Sequence, residues 1–157
     1  MGNKYWGTPT TLQKLLDDFP QQEDSFSLDT LTLKRFITED LSQLLNSQPT
    51  EIFSPVEGGT LLEESVLNYG LGISLGDAIS SQHYPKVETA IKRTIARFEP
   101  RIDPHTLLVT VLPVVTQSQS ISKLSLSITA ELRYYTQNLA LTLSGTYDIT
   151  TEKVCFE

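Results

Sequence analysis

Apolar residues recur at helical spacing in the first two thirds of this chain and at every second position in the last third. Leu33, Ile37, Leu41, Leu44 and Leu45 form one stripe and predict a helix from about Thr32 to Asn46. Val87, Ile91, Ile95 and Phe98 do the same for Tyr84 to Phe98, with Lys86, Lys92, Arg93 and Arg97 mostly off the stripe as a local basic surface. Pro100 stops this helix, because proline lacks an N–H and disfavours helical geometry at Glu99. A shorter helix is predicted near the start. Thr10-Thr11-Leu12-Gln13 fits a capping box, Leu12, Leu15, Leu16 and Phe19 follow, and Pro20 ends it. Residues 21–27 read as a polar linker, and Pro49 to Thr60 as a loop. Thr60-Leu61-Leu62-Glu63 is a second capping box leading into Ser65 to Asn68, after which Gly70, Gly72 and Gly76 break the chain.

After Arg101 the period becomes 2. Leu107 to Val115 is β-branched and apolar, interrupted by Pro113. Leu124, Leu126, Ile128, Ala130 and Leu132 alternate with polar residues, and so do Leu139, Leu141, Leu143, Tyr147 and Ile149. Gln117 to Ser122 and Tyr135 to Asn138 are the expected turns, and Val154 to Phe156 is a short final strand. Successive alternating runs predict an antiparallel sheet with one wet face. The class is therefore α+β: N-terminal helices packed on an antiparallel meander formed by the C-terminal third. The 157 residues fit one domain. Residues 1–26 are its short helix and linker arm, 27–100 its helical part and 101–157 its sheet part.

Composition narrows the function. A net charge of −7 with pI near 4.8 argues against nucleic acid and anionic membrane surfaces as partners. No apolar run approaches the ~20 residues of a membrane span, and Met1 to Trp6 has no apolar segment of the signal-peptide kind. Direct membrane insertion is not expected. The one cysteine, Cys155, forms no internal disulfide, which fits a cytoplasmic protein.

Candidate chemistry is thin. His83, His105 and Cys155 have no familiar metal-ligand spacing, and Cys155 sits in an apolar tripeptide of the packing kind. Gly70-Leu71-Gly72-Ile73-Ser74-Leu75-Gly76 departs from the dinucleotide fingerprint in spacing, and no βαβ pattern surrounds it. Glu63 and Glu64 are adjacent on a helix start, where acids favour the dipole and do not face each other. Neither an enzyme nor a cofactor is expected. Glu99-Pro100-Arg101 carries two readings. One is a helix stop with a local ion pair; the other is a proline-fixed presentation of both charges to a partner, with Arg101 forking onto a carboxylate or carbonyls. An open sheet also leaves an edge for a strand from another protein, and no proline interrupts the two longest alternating runs.

Three short motifs in order carry a resemblance. Asp40-Leu41 with Leu44-Leu45-Asn46, then Ser65-Val66-Leu67-Asn68-Tyr69-Gly70-Leu71, then Arg97-Phe98-Glu99-Pro100-Arg101, with a leucine-rich leader before and strands after, resemble the TssE family. That family comprises type VI secretion baseplate proteins similar to the small wedge protein of contractile phage tails. The resemblance covers about residues 10–150. Here Ser47-Gln48 follow the first motif and Gly72-Ile73 the second, where the family often has Thr-Arg and Pro-Asp. The resemblance implies a structural, non-enzymatic role in the baseplate wedge with TssF, TssG and TssK. It also implies a connection to the contractile sheath of TssB and TssC and help in starting its polymerisation. It assigns wedge assembly to Glu99, Pro100 and Arg101, and adds Asn68, Tyr69 and Gly70 as partner-binding candidates. Alternatives are a wedge protein of a phage tail or related contractile injection system and, ranked last, a peptidoglycan hydrolase.

Overall fold

The computed structural model describes residues 30–49, 65–72, 84–115, 121–133, 139–148, 151 and 153–157. The predicted leader helix, the 21–27 linker, both capping boxes, Gly76, His83 and the body of both turns lie outside the described residues, as does most of the Pro49 to Thr60 loop. Helix α1 spans Thr30–Asn46, a 3-10 turn spans Val66–Asn68, and helix α2 spans Tyr84–Phe98. Strands β1 (Leu108–Val115), β2 (Ile121–Leu132), β3 (Leu139–Asp148) and β4 (Lys153–Phe156) follow. The predicted α+β order holds. Helix α1 begins two residues before the expected Thr32, because exposed Leu31 adds nothing to the stripe from which the start was read.

The four strands pair antiparallel in the order β1-β2-β3-β4. Register follows the alternation: Leu124, Leu126, Ile128, Ala130 and Leu132 of β2 and Leu141, Leu143 and Tyr147 of β3 all point to one buried face. Both helices lie on that face, α2 against β1 and α1 against β4. Their buried stripes, Leu33-Ile37-Leu41-Leu44-Leu45 and Val87-Ile91-Ile95, close the core against the sheet. Between Leu143 and Tyr147 the inward position belongs to Gly145. A Cβ there would stand 2.6 Å from the Cys155 carbonyl oxygen and 2.8 Å from Phe156, so glycine lets β4 approach β3 closely.

Strand order corrects one expectation. Of the two proline-free runs, β2 lies between β1 and β3, while β3 is paired by β2 along its length but by β4 only over Gly145 to Asp148. The edges are β1, which carries Pro113, β4, and the side of β3 over residues 139–143 that no other strand among the described residues pairs. β1 and β4 are each capped by a helix side chain. The Val111 N–H donates to the Glu88 carboxylate (2.8 Å), reached from α2. At β4, the Val154 N–H donates to Asn46 Oδ1 (2.7 Å) while Asn46 Nδ2 donates to the Val154 carbonyl (2.9 Å).

Candidate functional site

The three motifs come from separate stretches of chain and meet at one corner. Glu99 directly follows α2, its N–H closing the last helical bond to the Ile95 carbonyl (2.9 Å). Pro100 turns the chain, and the Ile102 N–H returns to the Glu99 carbonyl (3.2 Å). This is a four-residue turn with proline at its second position, where a fixed φ is favourable. Such a turn places the first and third side chains, Glu99 and Arg101, on one side. The far end is then pinned to β2: the Arg133 N–H donates to the Arg101 carbonyl (2.7 Å), and the Asp103 N–H to the Glu131 carbonyl (2.9 Å).

Arg101 fills the corner with a planar fork. Its Nε meets Glu99 Oε1 at 2.6 Å and its Nη2 meets Glu99 Oε2 at 2.5 Å. The same Nη2 meets Asp40 Oδ2 of α1 at 2.5 Å, and the Arg101 backbone N–H adds a bond to Glu99 Oε1 (3.2 Å). The Glu99 side chain is only 5% exposed and that of Arg101 22%. Burial alone would make the guanidinium easier to deprotonate. The hydrogen bonds and charge of Glu99, then those of Asp40, outweigh it and hold its pKa above the ordinary arginine value. Two carboxylates thus share one cation, and charge-assisted bidentate bonds of this kind are the strong ones. Arg101 Nη1 meets no acceptor among the described residues, and Pro100 beside it is exposed.

The middle motif closes the corner from the third side. The Tyr69 ring packs edge-on against Phe98, the last residue of α2, with centroids 5.5 Å apart. Burial, and then the nearby charges of Asp40 and Glu99, push the Tyr69 phenol pKa above its ordinary 10.0. Gly70 has φ +125°, and its backbone lies against the end of α1, where the Leu71 N–H donates to the Ser47 carbonyl (2.9 Å). A Cβ on Gly70 would stand 2.4 Å from that carbonyl oxygen. Only glycine fits this conformation and this contact.

Glu99, Pro100, Arg101, Tyr69 and Gly70 are therefore assembled together, with Asn68 ending the 3-10 turn next to them. Of the two readings of Glu99-Pro100-Arg101, the local ion pair is present, with the Glu99 side chain buried. At the surface of the corner Pro100 is exposed, and the side chains of Asp40 and Arg101 are part-exposed, at 36% and 22%. Sequence reasoning gave Asp40 no role. The signal was there: Asp40 lies three residues after Ile37 and four before Leu44, on the apolar stripe itself. An acid on a buried stripe needs a cation. Glu88, the β1 cap, had no comparable signal.

Among the described residues, no group of three His, Cys, Asp or Glu side chains is placed to hold a metal ion, and no helix is long and apolar enough to cross a membrane. The arrangement is one of packing, charge and backbone fit. Residues 31–137, well over half of the chain, match the family model described as baseplate wedge protein gp25. Neither the curated proteins nor the solved structures contain a match.

Proposed function

The chain belongs to the family of the baseplate wedge protein gp25, a family of structural baseplate proteins, and from that premise we propose that it is the TssE-type component of a type VI secretion baseplate. In this reading it joins the wedge with TssF, TssG and TssK in the cytoplasm, connects the wedge to the TssB–TssC sheath and helps start sheath polymerisation. The observation that carries the wedge contact is the corner at Arg101. Three motifs converge there, and the guanidinium is held rigidly with its Nη1 edge turned away from both carboxylates. A preorganised arginine beside an exposed proline suits a partner's carboxylate or carbonyl oxygens. Pro100, Arg101, Tyr69 and Asn68 supply the surface. Glu99 and Gly70 hold it in place from behind.

The sheath connection rests on the sheet. An extended strand of a sheath subunit would add to one edge by main-chain hydrogen bonds. The test is a pull-down of the tagged chain from its host, read by mass spectrometry. TssF, TssG, TssK, TssB or TssC are the expected companions, and Arg101→Lys should retain the fold but bring down fewer wedge proteins. Capture of phage tail proteins would move the chain to a different contractile machine. Capture of nothing would overturn the assembly role.

A further inference from the structure

The charge of this chain is unevenly placed. Ten of its twelve Lys and Arg lie among the described residues, against eight of its nineteen Asp and Glu. The described part is therefore net basic although the chain carries −7. Helix α2 concentrates that excess. It holds Lys86, Lys92, Arg93 and Arg97 against one acid, Glu88, and Glu88 already accepts from the Val111 N–H. Lys86, Lys92 and Arg93 are exposed and Arg97 is half-buried.

Helix geometry puts these cations on the outward side. Val87, Ile91, Thr94 and Ile95 are buried and mark the inward side. Glu88 marks the flank over the free side of β1. At about 100° per residue, Lys86, Arg93 and Arg97 fall in one line beyond the other flank. That is the side of α1, which packs over β4. Lys92 stands across the crest of the helix from that line, with exposed Thr89 and Ala96 between. A helix face with cations on both sides of a low crest fits an acidic chain segment.

We propose that the basic face of α2 is the docking surface for the chain's own acidic arm, residues 17–29. Between Leu15 and Asp29 the sequence places Asp17, Asp18, Glu23, Asp24 and Asp29 and no cation. These residues lie outside those described and join α1 directly at Thr30. Thr30 precedes Asp40 by ten residues, about 15 Å of helix. Asp40 in turn bonds Arg101 just past the end of α2. Fully extended, residues 17–29 reach ~40 Å, against ~22 Å for the length of α2, so the arm can lie along the whole basic face. Each exposed ion pair is weak, but tethering raises the local concentration of the arm to about millimolar, so several such pairs together suffice. An acidic segment of another protein must displace the arm to reach α2.

The test uses the full chain with exposed Cys155→Ser and a nitroxide on Ser25→Cys, reading the broadening of backbone amide signals by NMR. In 0.1 M salt the signals of residues 86–97 should broaden well beyond those of β2. Raising the salt to 1 M shortens the screening length from about 10 Å to 3 Å and should reduce the α2 broadening roughly threefold or more. Asp17→Asn, Asp18→Asn, Glu23→Gln and Asp24→Asn together should do the same at 0.1 M. Lys86→Glu, Lys92→Glu and Arg93→Glu together should abolish the broadening, and adding Asp17→Lys, Asp18→Lys, Glu23→Lys and Asp24→Lys should restore it. Broadening of α2 that survives both high salt and neutralisation of the acids overturns docking by charge. Broadening no greater on α2 than on β2 overturns the surface. Broadening of isotope-enriched chains by separate nitroxide-labelled ones places the arm on a second copy and overturns docking within one chain. Neutralisation of the arm decides the matter even if the α2 variant does not fold.

Discussion

Replacing Gly70 by alanine tests whether the three motifs are joined by backbone fit as well as by charge. At φ +125° a Cβ is strained in itself, at about 1–3 kcal/mol. The added carbon would lie 2.4 Å from the Ser47 oxygen, 2.6 Å from its carbonyl carbon and 3.0 Å from the Gln48 nitrogen. Ordinary contact begins at 3.4 Å, so the chain would have to part by about an ångström. All three obstructing atoms are backbone, and they lie two and three residues past Leu45, which is fixed in the core with Leu44. Parting also breaks the Leu71 to Ser47 hydrogen bond, worth about 0.5–1.5 kcal/mol. The loss of unfolded-state freedom returns about 0.4–1 kcal/mol. With about 1–3 kcal/mol more for the backbone clash itself, the net destabilisation is roughly 1.5–7 kcal/mol, a large share of the ~5–15 kcal/mol that holds a domain folded. Urea unfolding of Gly70→Ala, with Gly72→Ala as control, measures it. Gly72 is exposed and its added carbon would meet only Pro49 Cγ at 3.7 Å, so the control should match the unsubstituted chain or exceed it by up to about 1 kcal/mol. A Gly70→Ala midpoint matching the control, at equal m-value, would refute the backbone argument.

The Arg101 cluster predicts a graded loss. Arg101→Ala strands the buried Glu99 carboxylate and should cost roughly 3 kcal/mol, whereas Arg101→Lys keeps the charge, loses the fork and should cost about 1–2 kcal/mol. Equal stability of the lysine form in chemical denaturation would show that the bidentate geometry contributes nothing. For Tyr69 the sign follows from its raised pKa. The unfolded phenol ionises near 10.0, while the folded one keeps its proton to higher pH. The folded state then binds more protons, so this contribution is complete below pH 10.0 and is lost as pH rises through the folded value. Stability measured upward from pH 10 should therefore fall less steeply in Tyr69→Phe, and parallel slopes would sink the idea.

Much of the fold was legible in the sequence because local patterns imposed it. The α1 stripe of five apolar residues, the α2 stripe and the alternation of β2 and β3 each had one buried face to satisfy; the structure buries those residues, with Phe98 and Leu139 partly buried and Ile149 outside the described residues. The end of α2 was equally plain, since proline chemistry is local. The same three motifs were visible as motifs, but their convergence was not. Glu99 and Arg101 are two residues apart, whereas Arg101 and Asp40 are 61 apart, and no local pattern reports that separation.

Sequence alone determined which residues are apolar on which face, where helices end, and that the chain passes from helix to sheet. Those properties are set by side chains within a turn or two of one another. Tertiary structure alone decided that Glu99 turns inward, that Tyr69 and Gly70 lock onto α1 and α2, and that β2 is interior while the short β4 covers only the last four residues of β3. It also decided that β1 and β4 lie at the edges, one capped by Glu88 and the other by Asn46 across 108 residues of chain. Burial of a charge, closeness of two backbones and possession of an edge are relations between distant segments, fixed only when the core brings them together.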